Sequence, residues 1–261
     1  MIRSTIKLLL KNQRLVRYLQ NIHSENRLGS SFETEVAETK PFNCRKSSSD
    51  APRLNLLIPG LSIEQVFGGI NTALSFFEVL AKDMGNKNLR IILTDQLFFK
   101  TEDNQSYKDW DVSSLDDKDG PGLKIVIAGS RHGHTLSVGP QDRFIATAWW
   151  TATLVKSIQK WQVETYKLDD ALKFVYLIQD FEPGFYKWSA RYALAESTYS
   201  NNSKTIAVIN SKELSEYLIL KKYSFYKQYF FVPKMNAKLK ELWDKHHSME
   251  KKKKLIVYGR P

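Results

Sequence analysis

The amino-acid sequence predicts a Rossmann-like α/β fold with a doubly wound, mainly parallel sheet. Short apolar runs rich in β-branched residues alternate with helical patterns, and the runs are continuous, as in strands covered on both faces. Such alternation produces right-handed βαβ units. The predicted strands are 54–61, 90–95, 123–130, 144–150 and 174–180, with weaker strands at 205–211 and 229–233. The predicted helices are 69–82, 152–162, 186–196 and 212–220.

Composition and charge narrow the classes of function. The chain has 261 residues, a net charge of +11 and one cysteine, Cys44, which excludes an internal disulfide and a cysteine-based zinc site. Because no apolar run approaches the roughly 20 residues that span a membrane, we expect a cytoplasmic protein. The excess Lys and Arg lies at the two ends of the chain. It forms no recognisable nucleic-acid-binding motif, so we expect no nucleic acid partner.

The two ends flank a predicted domain over 53–250. Within 1–52, residues 1–22 have apolar side chains three or four residues apart with basic residues between them, which predicts an amphipathic basic helix. Such a helix either packs on protein or lies on the surface of an anionic membrane. In the second case we expect peripheral contact with the inner face of the cell membrane. Residues 24–52 are predicted as an irregular arm. Within 251–261, Leu-Ile-Val-Tyr-Gly is typical of a buried strand, and we expect it to begin a second domain.

The candidate site residues follow the predicted strands, because ligands of open α/β sheets bind beyond the carboxyl ends of the strands. Gly68 and Gly69 begin a helix, where backbone amides can approach a phosphate or a sugar hydroxyl. Asp180 and Glu182 follow the strand 174–180, where carboxylates can hydrogen-bond sugar hydroxyls or act as a base. The alternatives are a structural glycine turn and an ordinary acidic turn.

Aromatic residues near the same edge are candidates for the wall of an acceptor cleft. Trp150 ends a predicted strand, Thr151 is predicted as the N-cap of the next helix, and Tyr186 follows the two carboxylates. Aromatic faces stack on the apolar face of a pyranose, although all three residues also suit structural roles.

Two patterns imitate metal sites, and we interpret neither of them as one. Asp109 and Asp111 have the spacing of a DxD metal motif, but they lie in an acidic insert over 100–122 that is predicted to be a loop. His132 and His134 have no third ligand in the sequence around them, although a role in the cleft stays open because the pair follows the predicted strand 123–130. We therefore expect no metal.

Taken in order, several segments resemble glycosyltransferases of the GT-B fold, and more narrowly the WsaF-like rhamnosyltransferases of rhamnan synthesis. The segments with this resemblance are LNLLIPGL, FGGINTAL, RFIATAWWTA, FVYLIQDFEPGFY, IAVINSKELSEYL, YFFVPKM and LIVYGRP. The similarity covers roughly 53–261, and its most specific parts are QDFEPGFY and YGRP.

The resemblance implies a retaining, metal-independent transfer of rhamnose from dTDP-rhamnose to a growing bacterial surface polysaccharide. It places Gly68 and Gly69 near the leaving group of the donor, Asp180 and Glu182 in the cleft, and Arg260 on the diphosphate. Relatives bind the nucleotide-sugar mainly through a second domain with a Glu-x7-Glu pattern, and this sequence ends at Pro261 without one. We therefore expect the chain alone to be the acceptor-side domain and to transfer little. The alternative is a non-catalytic Rossmann-like binding or interaction module.

Overall fold

The computed structural model describes residues 36–61, 68–200, 202–232 and 237–246. The strands within these ranges are β1 (Asn43–Lys46), β2 (Arg53–Ile58), β3 (Leu89–Leu93), β4 (Asp111–Ser114), β5 (Leu123–Ile127), β6 (Thr135–Val138), β7 (Asp142–Ala146), β8 (Phe174–Ile178), β9 (Asn202–Ile209) and β10 (Phe225–Phe230). The helices are α1 (Gly68–Asp83), α2 (Trp149–Tyr166), α3 (Ala190–Ser197), α4 (Lys212–Leu220) and α5 (Ala237–His246).

Eight of these strands form one parallel sheet, which confirms the predicted fold class. The spatial order is β10-β9-β8-β7-β2-β3-β5-β4, and β1 pairs with β6 in a separate two-stranded sheet. One side of β2 pairs with β3, which in turn pairs with β5, whereas the other side of β2 pairs with β7, a later strand in the chain. The order of the strands therefore reverses between β2 and β7, which is the usual position of a ligand crevice in such sheets.

Two hydrophobic cores cover the two faces of the large sheet. Leu54, Leu56 and Ile58 of β2 pack with α1 on one face, and Leu57 packs with α2 on the other. The division follows from the alternation of side chains along a strand. The helices contribute apolar residues spaced three or four apart, as expected for one buried helical face. The helices that flank β2 and β7 consequently lie on opposite faces of the sheet.

Several predicted boundaries are wrong, and tertiary packing explains each difference. The insert 100–122 is not only a surface loop, because it contributes the edge strand β4 and the buried side chains of Tyr107 and Leu115. The arm 24–52 contains β1, which pairs with β6. The strand predicted over 144–150 ends at Ala146, and both tryptophans belong to α2. The predicted helix over 1–22 and the predicted strand within 251–261 lie outside the described residues.

A buried ionic network joins the amino ends of β2, β3 and β7. Arg53 and Asp142 are Cα partners in the pairing of β2 with β7, and their side chains form two hydrogen bonds of 3.0 and 2.8 Å. Arg53 also contacts Asp119 at 2.7 Å, and Arg90 contacts Asp142 at 3.3 Å. Asp142 is only 1% exposed. Two guanidinium groups therefore depend on one buried carboxylate.

We expect Asp142→Ala to destabilise the protein by about 3 kcal/mol, because it leaves two buried arginines without their shared carboxylate. Urea unfolding monitored by circular dichroism measures the change. Asp169→Ala is the matched control, since Asp169 is an exposed loop residue. Equal stability of the two variants would contradict a structural role for the network.

Candidate functional site

The candidate site is the crevice at the carboxyl edge of the sheet, where β2, β7 and β8 end side by side. The first turns of α1 and α2 border it from opposite faces, because these helices belong to the two different cores. Helix amino termini carry unpaired N–H groups and a partial positive charge. This edge therefore suits a ligand with anionic or hydroxyl groups.

The segment after β8 contacts the first turns of both helices. Gln179 donates a 3.0 Å hydrogen bond from Nε2 to the Gly69 carbonyl oxygen in α1. Glu182 accepts a 2.6 Å hydrogen bond from the Trp149 backbone N–H in α2. The sequence Gln179–Glu182 thus forms the floor of the crevice and connects its two sides.

Gly68 and Gly69 are the first two residues of α1, at its exposed amino terminus. A Cβ atom added to Gly68 would meet no described atom within 4 Å, and one added to Gly69 would lie 3.1 Å from Gln179 Oε1. Both residues are exposed. Neither has the positive φ that makes glycine necessary for conformational reasons. Packing against the described residues therefore does not require glycine at position 68, and the helix start is open to the close approach of another molecule.

Glu182 is the electrostatically unusual carboxyl group of the crevice. It lies in the 3-10 turn Glu182–Phe185, where its Oε2 also accepts a 2.8 Å hydrogen bond from the Tyr176 hydroxyl. Burial raises the pKa of Glu182 to about 7, and the charge of Asp180 adds to this effect, although the bonds from Tyr176 and Trp149 oppose it. A carboxyl group with a pKa near neutrality can both donate and accept a proton.

Asp180 lies beside Glu182, as the sequence predicted, and is half-buried. Its Oδ1 accepts a 2.9 Å hydrogen bond from the Phe181 backbone N–H, which orients the side chain. Its carbonyl oxygen accepts a 3.2 Å bond from the Tyr199 hydroxyl, and Tyr199 stacks on Tyr176 with ring centroids 5.9 Å apart. Two buried tyrosines thus hold the two carboxylate residues in place.

The three residues predicted for the acceptor wall have different environments. Trp150 and Tyr186 are half-buried beside the crevice, and the Tyr186 hydroxyl accepts a 3.1 Å bond from Nε1 of the fully buried Trp149. Thr151 is also fully buried, and its Oγ1 accepts bonds of 2.9 Å from the backbone N–H groups of Thr147 and Ala148. The prediction of Thr151 as the N-cap is wrong, because Ala148 is the N-cap residue. The Thr151 hydroxyl is unavailable to a ligand in this conformation.

The two patterns that imitate metal sites lie at different ends of the sheet. Asp109 and Asp111 are exposed at the start of the edge strand β4, and His132 and His134 are exposed after β5. His134 contacts Asp116 at 2.5 Å. Within the described part of the chain, no group of three His, Cys, Asp or Glu side chains could hold a metal ion. Arg260 lies outside the described residues.

Sequence reasoning missed Tyr176, Gln179 and Gln96. Gln96 accepts a 2.8 Å bond from the Leu61 backbone N–H and so fixes the loop after β2. Tyr176 did give a signal, since a tyrosine within a buried strand needs a partner for its hydroxyl and a glutamate follows six residues later. The contacts of the two glutamines depend on strands and helices brought together by folding.

The fold is that of a Rossmann-like domain, with the candidate crevice at the carboxyl edge of a parallel sheet. The family described as "WsaF, N-terminal domain" matches residues 53–212, and the chain belongs to this family. Membership indicates a glycosyltransferase-related function. No curated protein matches the chain. Among the described residues, none of the helices has both the length and the apolar character required to cross a membrane.

The raised pKa of Glu182 predicts a pH-dependent stability. The folded protein retains this proton up to about pH 7, whereas the unfolded chain releases it near 4.5. Stability from this group is therefore complete below pH 4.5 and is lost as the pH rises to about 7. Relative to Glu182→Gln, the wild type should lose about 3 kcal/mol over this range.

Urea titrations of wild type and Glu182→Gln at about pH 5 and about pH 8 measure this difference. Glu164→Gln is the control, since Glu164 is exposed on α2. A wild type that becomes more stable than Glu182→Gln as the pH rises would contradict the assignment.

Proposed function

We propose that this chain is the acceptor-side domain of a retaining glycosyltransferase that transfers rhamnose from dTDP-rhamnose to a growing bacterial surface polysaccharide. The main structural support is the pair of carboxylate residues Asp180 and Glu182 at the floor of the crevice, together with membership in the WsaF N-terminal domain family. Acceptor sugars present hydroxyl groups, and carboxylates are their natural hydrogen-bond acceptors.

In this proposal Asp180 accepts a hydrogen bond from the attacking hydroxyl of the acceptor and increases its nucleophilicity. Glu182, whose pKa lies near 7, supports the reaction beside it and keeps the first turn of α2 in place. Tyr186 and Trp150 form the wall against which the acceptor ring packs. The acceptor is a glycan, which a lipid carrier could hold at the inner face of the membrane, where the basic residues 1–22 would bind.

The leaving nucleotide diphosphate requires stabilisation of the charge that develops on it. We assign part of this task to the N–H groups at the open start of α1, at Gly68 and Gly69, where the helix dipole also favours an anion. Arg260 would clamp the diphosphate from the end of the chain. These groups supply the positive charge that a metal ion provides in other transferases, so the reaction should need no metal.

A transfer assay with the full-length protein tests this function. Labelled dTDP-rhamnose and a rhamnan oligosaccharide should give a longer labelled product, and the rate should be unchanged by EDTA. Transfer from UDP-sugars and GDP-sugars should be at least about a hundredfold slower, because a site that hydrogen-bonds the polar groups of one donor leaves its own polar groups unpaired with another. Equal rates with all donors would contradict the donor assignment, and the absence of product with every donor would favour a non-catalytic binding module.

The same assay tests the carboxylate. Asp180→Asn should lower kcat by at least about a hundredfold, which is the usual contribution of a general base, without unfolding the protein. Asp169→Asn, an exposed aspartate in the loop before β8, should transfer at the wild-type rate. Turnover of Asp180→Asn equal to that of the control would assign Asp180 a purely structural role.

A further inference from the structure

A second polar cluster adjoins the crevice at the carboxyl ends of β3 and β5. It contains Asp95, Arg131, Trp150, Glu38 and Arg191, from five separate parts of the chain. The Asp95 carboxyl group interacts with Arg131, Glu38 and the Trp150 indole. None of these residues except Trp150 was predicted from the sequence, and Glu38 lies outside the matched range 53–212.

Arg131 holds the segment before β1 against the carboxyl end of β3. It is buried, and it donates hydrogen bonds of 3.2 and 3.3 Å to the carbonyl oxygens of Lys40 and Thr94. Its guanidinium group also lies 5.1 Å from the centre of the Phe42 ring. The preceding turn, Ala37–Thr39, packs against α2, and Glu38 forms a 2.6 Å ion pair with Arg191 of α3. The segment thus brings a carboxylate to the edge of the acceptor wall.

Two polar atoms of this cluster are buried without a hydrogen-bond partner. They are the Glu38 Oε2 acceptor and the Trp150 Nε1 donor, whose interaction with the Asp95 carboxyl group lacks the geometry of a hydrogen bond, and one other such side-chain atom occurs among the described residues. Unpaired buried polar atoms are unfavourable and rare in folded proteins. A hydroxyl group is both a donor and an acceptor, so hydroxyl groups of one ligand can satisfy both atoms.

We propose that Glu38, Asp95 and Trp150 form a subsite for the hydroxyl groups of an acceptor pyranose. The carboxylates accept hydrogen bonds from the sugar, the Trp150 N–H donates one, and the part-exposed indole ring packs on an apolar face of the ring. Arg191 orients the Glu38 carboxylate through their 2.6 Å ion pair, and Arg131 partly opposes the burial that raises the pKa of Asp95. This inference rests on the proposed function, which it deepens by assigning residues that recognise the acceptor.

The turn Ala37–Thr39 controls access to the subsite. The two unpaired atoms are closed to solvent, so a sugar reaches them only when the turn moves away from α2. The Glu38–Arg191 pair that holds the turn has side chains 31% and 45% exposed. Ion pairs with this exposure are weak, so a bound sugar can replace the contact.

The indole N–H signals of the tryptophans, measured by NMR in the full chain, test the subsite directly. The signal of Trp150 is assigned as the one that Trp150→Phe lacks. Titration with methyl α-L-rhamnopyranoside should shift this signal saturably, with a Kd in the range of about 1 mM to about 100 mM. The signal of Trp161, which lies near the other end of α2, should not move.

Glu38→Gln and Asp95→Asn should each weaken this binding about tenfold, whereas Asp169→Asn should bind as the wild type does. A Trp150 signal that does not respond, or identical binding by all three variants, would overturn the subsite. A saturable shift, together with no product from any donor in the transfer assay of the full-length protein, would overturn the proposed function but support the subsite. Transfer to a rhamnan acceptor at the wild-type rate by Glu38→Gln and Asp95→Asn would support the function and overturn the subsite.

Discussion

The structure depends on the ion pair between Arg53 and Asp142 at the start of β2 and β7. These two strands are neighbours in space but distant in sequence, and they meet where the order of the strands reverses. Because their first residues are joined by a buried, two-bonded contact, the strands are held in register over their whole length. This register brings the ends of both strands, and the two helices that follow them, to the same edge of the sheet.

The crevice at that edge is organised from the segment after β8. Gln179 contacts the start of α1 and Glu182 contacts the start of α2, so four residues connect helices that belong to opposite cores. The cost of this arrangement is a carboxyl group in a desolvated position, as its raised pKa shows. Perturbed carboxyl groups of this kind occur often at functional sites. The segment 179–182 therefore determines both the geometry of the crevice and the raised pKa of Glu182.

Most strands of the large sheet could be predicted from the sequence, because continuous apolar runs indicate strands that are buried on both faces. Residues 212–220 were predicted as a helix and form α4 with the same bounds. The exceptions depend on long-range contacts: β1 and β4 are short strands that exist only through pairing with β6 and β5. In the site, Asp180 and Glu182 were identified because they follow a strand. The burial of Thr151 and the arrival of Glu38 beside Asp95 could not be predicted, since both depend on how distant segments pack.

Hydrogen exchange with and without dTDP-rhamnose and a rhamnan oligosaccharide tests most directly that the ligand binds in this crevice. Backbone amides that are covered by a ligand or stabilised by its binding exchange more slowly. Ligand binding in the crevice should slow exchange in three separate segments: 68–72, 147–152 and 179–186. Protection confined to other surfaces, such as the exposed aromatic residues Tyr229 and Phe230 of β10, with none in these three segments, would contradict it.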